Sequence, residues 1–266
     1  MSDAQLKVQD SGPAWPARGE QPVTAFPVIA IDGPAGAGKS TVARQLARRL
    51  GFFLLDTGAI YRCLALHAQE RGVSWDHGPE LAELAAQLPI RFVIGSSAAA
   101  SSVSAGSGQG GAGNDQVFLG EQAVTQAIRT PEMSRGASQV SAHPEVRSAL
   151  LGLQRQLAAS GPCVVEGRDI GTVVLPGAPI KLFLTASAQV RAQRRTNELS
   201  ARGVVADPQA TLRDQEERDH RDATRAAAPL RQAADAILVD TSTLGLEAVL
   251  DQVEAMCRRL LAGSSW

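Results

Sequence analysis

Val28-Ile29-Ala30-Ile31-Asp32-Gly33-Pro34-Ala35-Gly36-Ala37-Gly38-Lys39-Ser40-Thr41 joins a short apolar run to a glycine-rich turn and then to a helix-forming segment. Four consecutive apolar residues before a turn suit a central strand buried on both faces. Gly33 to Ser40 fits the spacing GxxxxGK[ST] of a phosphate-binding loop, the P-loop. Holding phosphate oxygens requires successive backbone N–H groups pointing into one concavity, and glycines are needed where a Cβ would block that bend. The N-terminus of the following helix faces the same anion. The cradle predicted for a nucleotide's phosphates is Gly33, Pro34, Ala35, Gly36, Ala37, Gly38, Lys39, Ser40 and Thr41. Lys39 neutralises the β- and γ-phosphates, and the Ser40 hydroxyl suits a Mg²⁺ ligand. Lys39 also stands out by composition, because the chain has three lysines among 26 basic residues.

Working outward, Val42, Ala43, Leu46, Ala47 and Leu50 recur at helical spacing and Gly51 closes the segment. A second apolar run, Phe52 to Leu55, leads through Asp56-Thr57-Gly58 into a helical stretch to about Arg71, with Thr57 as a plausible helix N-cap. Further strands read at Cys163–Val165, Ile180–Leu184 and Ala236–Val239, with helical patterns between and after them. Strands alternating with helices predict an α/β fold with a mostly parallel sheet covered on both faces. The rhythm breaks at Gly95–Gly113, where 17 of 19 residues are Gly, Ser or Ala. Such a segment buries too little apolar surface to offset its ordering entropy, so a floppy loop is expected between strands at Ile90–Ile94 and Gln116–Leu119. Residues 1–26 read as a loose tail.

Composition excludes several classes. Hydrophobic residues make up 44% and charged residues 20% of the 266, an ordinary globular balance. A net charge of −1 provides no global basic field for nucleic acid or an anionic membrane. The uncharged stretch Phe92 to Asn114 is mainly Gly, Ser and Ala and lacks the hydrophobicity of a membrane span. Cys63, Cys163 and Cys257 lie far apart, neither a disulfide framework nor a zinc site, and suit a reducing compartment. His67, His77, His143 and His220 share no metal spacing. A soluble cytoplasmic protein with small-molecule partners is expected.

Two further segments follow strands, where open α/β sheets bind ligands. One is Asp56-Thr57-Gly58-Ala59-Ile60-Tyr61-Arg62. The other, Glu166-Gly167-Arg168-Asp169-Ile170-Gly171-Thr172, is likewise expected to enter a helix. In Glu217-Arg218-Asp219-His220-Arg221-Asp222-Ala223-Thr224-Arg225 the spacing puts Arg218, Asp222 and Arg225 on one helix face. Alone this is a solvated, salt-bridged helix; beside a P-loop its guanidiniums can neutralise transferring phosphoryl oxygens. The NKxD and DxxG strings of GTPases are absent, and no Walker-B acidic pair follows the first helix.

IDGPAGAGKST, LLDTGAIYR, AIRTPE with SQVSAHPEVR, EGRDIGTVV and ERDHRDATRAAAPL, in this order, resemble the bacterial cytidylate kinases, which are nucleoside monophosphate kinases. The resemblance covers about Pro27 to the C-terminus. It implies ATP as phosphoryl donor, CMP or dCMP as acceptor, Mg²⁺, and a place in pyrimidine nucleotide metabolism. It further implies a three-layer P-loop kinase fold with a five-stranded parallel sheet, a monophosphate-binding insertion at roughly 85–155, and a short lid near 195–225. Residue by residue, it implies that Arg62 and Arg168 grip the CMP phosphate. Ser138, Arg147 and Asp169 read the cytosine, with Thr57 close to the base. Arg218 and Asp222 contact the sugar, and Arg225 reaches the transferring phosphoryl, so that Lys39, Arg168 and Arg225 form the catalytic set. Thr57 replaces a Ser found in several relatives, keeping the hydroxyl and adding a methyl; Glu166 stands where some carry Asp. The tail and the Gly/Ser/Ala stretch have no counterpart in the resemblance. A monomer is expected. A P-loop kinase for another acceptor, such as UMP or a non-nucleotide alcohol, and a nucleotide-dependent switch are the alternatives that acceptor dependence separates.

Overall fold

The structure, a computed structural model, describes residues 26–93, 116–201 and 203–263. The expected tail, apart from Phe26, and the expected loop at 95–113 lie outside the described residues. In chain order the elements are β1 (Val28–Asp32), α1 (Lys39–Leu50), β2 (Phe53–Asp56), α2 (Thr57–Glu70), α3 (Gly78–Ala86), β3 (Ile90–Val93), β4 (Gln116–Leu119) and β5 (Gln122–Ala123). They continue as α4 (Pro131–Val140), α5 (Pro144–Ala158), β6 (Cys163–Glu166), β7 (Ile180–Thr185), α6 (Ala188–Ala201), α7 (Pro208–Thr224), β8 (Ile237–Asp240) and α8 (Leu246–Ala262). Two compact units divide the chain, one of residues up to Thr57 with Leu151–Trp266, the other Gly58–Leu150.

The first unit holds a five-stranded sheet in the order β2-β6-β1-β7-β8, every pairing parallel. β1 is central and buried along its whole length, as its unbroken apolar run requires. On one face Ile29, Ile31, Val164, Leu182 and Leu184 pack with Val42, Leu46 of α1 and Val249, Val253 of α8. The alternate residues Val28, Ala30, Cys163 and Val165 are equally buried. Towards the end of α5, Arg155 donates to the Val173 and Val174 carbonyls, and Cys163 Sγ lies 3.4 Å from the Ala158 carbonyl. The fully parallel sheet sends the C-terminal ends of β1, β2 and β6 to one edge, with Asp56↔Glu166 in register and Ile31↔Glu166 beside them.

The second unit contains a small antiparallel sheet, β3-β4-β5, whose third strand the sequence pattern did not mark. The two expected strands pair through Ile90↔Leu119 to Val93↔Gln116; Ile94 lies outside the described residues. Thr130 caps α4 by accepting from the Met133 N–H at 3.1 Å. Trp75 donates its indole N–H to the Ala65 carbonyl and covers Gly136, so it serves packing.

Three local expectations are corrected. Thr57 is the first helical residue of α2 rather than its cap, and its hydroxyl donates to the Glu166 carbonyl at 2.7 Å. The segment after Glu166 forms one five-residue π turn, Ile170–Val174, instead of a regular helix, closed by i→i+5 bonds such as Leu175 N–H to the Ile170 carbonyl at 2.7 Å, and Asp32 from another strand accepts its first two N–H groups. Arg225 lies just past the end of α7, in extended backbone, so it does not continue the Arg218–Asp222 face as a helical residue.

Candidate functional site

The site of the first unit starts at the end of β1. Gly33 takes φ +143°, and a Cβ there would run into the Leu184 backbone carbonyl of the neighbouring strand. Gly36, at φ +75°, lies so close to the Gln215 and Arg191 side chains that a Cβ would come within 2.8 Å of Gln215 Nε2. Both positions therefore require glycine by conformation and by space. From this turn α1 begins at Lys39, whose ammonium donates to the Pro34 carbonyl at 2.7 Å. Ser40 Oγ donates to Glu166 Oε2 at 2.8 Å, which joins the loop to β6.

Positive charge is concentrated here. Burial and the Arg168 guanidinium push the Lys39 ammonium well below the usual lysine range, and Arg218 adds to the effect, against Glu166 and Asp32. Three cations, with the two arginines near enough for their charges to act on Lys39, favour a polyanion. Arg168 donates Nε to Asp222 Oδ2 at 3.0 Å and Nη1 to the Gly167 carbonyl. Burial pushes the Asp222 carboxyl up, but Arg168, Arg218 and Arg225 outweigh it and hold it below the usual aspartate value. Arg225 donates Nε to the Ala228 carbonyl at 2.7 Å and approaches Asp169 Oδ1 at 3.4 Å and Asp222 Oδ1 at 3.9 Å. The structure thus brings Lys39, Ser40, Arg168, Asp169, Arg218, Asp222 and Arg225 into one polar network, with Thr57 at its edge. Within it, Arg168 and Arg218 are the arginines whose charges act on Lys39, and Arg225 is held by the two aspartates.

The remaining expected residues belong to the second unit. Ser138 on α4 is buried, and its carbonyl accepts from the Ser141 hydroxyl at 3.2 Å. Arg147 on α5 donates to the Ser141 carbonyl at 3.4 Å and places its guanidinium over the Tyr61 ring, 5.5 Å from the centroid. Ser138 and Arg147 are both buried and both bonded to Ser141, and the Tyr61 ring lies under the Arg147 guanidinium. Arg62 is half-buried on α2, directly after Tyr61.

Sequence reasoning missed a second set of residues around the P-loop. Arg191 of α6 donates to the Ala35 carbonyl at 2.9 Å, the Ala35 N–H donates to Asp219 Oδ1 at 3.2 Å, and Arg191 and Asp219 form an ion pair. Gln215 donates to the Arg191 carbonyl at 3.3 Å. Both backbone polar groups of one P-loop residue, Ala35, are strapped to α6 and α7. Gln215 and Asp219 lie at i and i+4 on the side of α7 that also carries Asp222, the available signal for this set; Arg191, among four arginines between 191 and 202, carried none. Among the described residues no cluster of three or more His, Cys, Asp or Glu side chains could hold a metal ion unaided.

A family model described as cytidylate kinase matches residues 29–259. The chain is 46% identical over 235 residues to the cytidylate kinase of Pseudomonas aeruginosa, covering 88% of this chain and 96% of that protein. It is 47% identical over 233 residues to that of Pelotomaculum thermopropionicum, covering 88% and 96%. It is also 47% identical over 236 residues to that of Exiguobacterium sibiricum, covering 89% and 97%. With the phosphate loop, the parallel sheet and the arginine network all in place, the chain belongs to the cytidylate kinase family.

Proposed function

We propose that this ATP-dependent kinase phosphorylates both CMP and dCMP, with Mg²⁺ assisting, and that its selectivity and catalysis rest on the residues the sequence singled out. The observation that supports this reading most is the convergence of Lys39, Arg168 and Arg218 beside the P-loop, where their charges act on one another. That arrangement fits two phosphates held in line with no covalent intermediate, the transferring charge being met by fixed cations. Lys39 faces the donor phosphates and Arg168, together with Arg62, the acceptor phosphate. Arg225, between Asp169 and Asp222, completes the cationic set. Arg218 and Asp222 meet the sugar, and Thr57 lies close to the base.

The donor set at Ser40 and Glu166 fits Mg²⁺. A hydroxyl hydrogen-bonded to a buried carboxylate supplies the hard oxygens this ion takes. Ser40 would hold the ion, with Glu166 acting through its hydration shell, and the bound ion would neutralise phosphate charge.

Base selectivity follows from hydrogen-bond polarity. Cytosine offers a 4-amino donor and an N3 acceptor; uracil offers a carbonyl and an N–H. Asp169 accepts from the amino group, while Ser138 and Arg147 donate to O2 and N3. Uracil leaves buried groups mismatched, a discrimination that reaches large ratios. No helix among the described residues is long and apolar enough to cross a membrane. Free, buried thiols at Cys63, Cys163 and Cys257 suit a reducing compartment and support a cytoplasmic place.

The test is ADP release from MgATP with CMP, dCMP, UMP, AMP or GMP supplied singly. Fast turnover with CMP and dCMP alone is the expected result; preference for another monophosphate would remove the assigned roles of Ser138, Arg147 and Asp169. A second expectation concerns the strap on Ala35. Arg191→Ala should raise KM for ATP by roughly tenfold, the scale of charge-assisted hydrogen bonds, and KM for CMP much less. Steady-state kinetics with each substrate varied in turn checks it, and equal rises would make the strap a general packing element.

A further inference from the structure

Asp32 ends β1 one residue before the P-loop, and none of the roles above uses its carboxylate. It is 4% exposed, with Oδ1 accepting from the Ile170 N–H at 2.8 Å and Oδ2 from the Gly171 N–H at 2.7 Å. These are the two backbone donors that directly follow Asp169. A Cβ at Gly171 would meet Asp32 Oδ2 only at ordinary contact distance, 3.5 Å, and press more closely, at 3.1 Å, on Lys181 Cδ. Burial pushes the Asp32 carboxyl up to about 6 against those two bonds, and the negative charge of Asp169 pushes the same way. An apolar side chain would fill the end of a buried strand without that cost. What a carboxylate adds is two acceptor oxygens for two adjacent N–H groups. An asparagine has one, and would turn its own amide hydrogens toward the other donor.

We propose that Asp32 is a positioning residue for base recognition. By holding the Ile170 and Gly171 N–H groups, it fixes the backbone from which Asp169 emerges, and so ties the acceptor-reading carboxylate to the strand that carries the phosphate loop. The inference rests on the reading of Asp169 as the acceptor of the cytosine amino group.

The experiment is a cycle of Asp32→Asn, Asp169→Ala and the double variant. Each is assayed for kcat/KM with CMP and with UMP and for KM with ATP, after thermal unfolding has shown that it is folded. Expected is a fall of roughly tenfold or more in the CMP/UMP ratio for Asp32→Asn, on the scale of one charge-assisted bond, with KM for ATP changed less than about threefold. The double variant should lose no more of the ratio than Asp169→Ala alone, because Asp32 acts through Asp169. An unchanged ratio in Asp32→Asn beside a collapsed one in Asp169→Ala would overturn the inference and leave the base reading intact. Additive losses in the double variant, or a uniform loss with both acceptors and ATP, would also overturn it. An unchanged ratio in Asp169→Ala would remove the base reading and this inference together. If Asp32→Asn does not fold, Asp32→Glu keeps the buried charge but displaces its oxygens, and the same criteria apply.

Discussion

Lys39→Met should lower kcat by about 10³-fold or more while leaving the thermal midpoint unchanged or higher. The loss in rate follows from the proposed role of Lys39 as the cation that meets the donor phosphates at the start of α1, and 10³-fold corresponds to about 4 kcal/mol of transition-state stabilisation. The stability effect has the opposite sign. Burial and the neighbouring Arg168 depress the Lys39 ammonium in the folded protein, whereas the unfolded lysine titrates near 10.5. The charged form is therefore disfavoured by folding at every pH below that depressed value, and the penalty disappears only as pH rises through 10.5. Methionine keeps the stem and removes the charge, at the cost of the bond to the Pro34 carbonyl. Differential scanning calorimetry alongside kcat checks both halves. A variant with wild-type kcat would displace Lys39 from the transition state, and a large fall in midpoint would show that the ammonium is a structural anchor.

Arg168→Ala should cost about 10³-fold in kcat and raise KM for CMP as well. The guanidinium stands between the two halves of the network: it is the neighbouring cation with the largest effect on Lys39, and it is hydrogen-bonded to Asp222. Arg168→Lys should recover little, because an ammonium cannot make the fork to Asp222 and to a phosphate oxygen together. Full recovery by lysine would reduce Arg168 to a point charge. The companion variant Arg225→Ala sorts the two arginines. If Arg225 reaches the transferring phosphoryl its loss shows in kcat, and if its work is confined to Asp169 and Asp222 only KM for CMP rises.

The local sequence carried the elements well because each had a local cause. The run at 28–31 is apolar on both faces, so it had to be central; the glycines of 33–38 had to form a turn, and α1 had to follow it. The same logic placed Arg168 and Asp169 at the end of β6 and Arg218 and Asp222 on one face of α7. Local pattern failed wherever a distant polar group competed. Thr57 looked like a cap, but its hydroxyl goes to the Glu166 carbonyl, 109 residues away. Residues 170–174 read as the start of a regular helix but close through i→i+5 bonds into a single π turn, whose first two N–H groups Asp32 caps from 138 and 139 residues away.

The sequence by itself determined the chemistry available to this protein: a phosphate cradle with one lysine, a set of arginines and aspartates, and a parallel sheet to carry them. Spacing along a chain is enough for that, because a turn, a helix face or a strand end is set by neighbours a few residues apart. The tertiary structure alone decided which charge meets which. It brought the charges of Arg168 and Arg218 to bear on Lys39, gave Arg225 to Asp169 and Asp222, closed Arg191 and Asp219 around the Ala35 backbone, and set Asp32 against the turn after Asp169. Such pairings depend on strand order and on how side chains share a buried space, where an unmatched charge is costly, and no periodicity in the sequence records them.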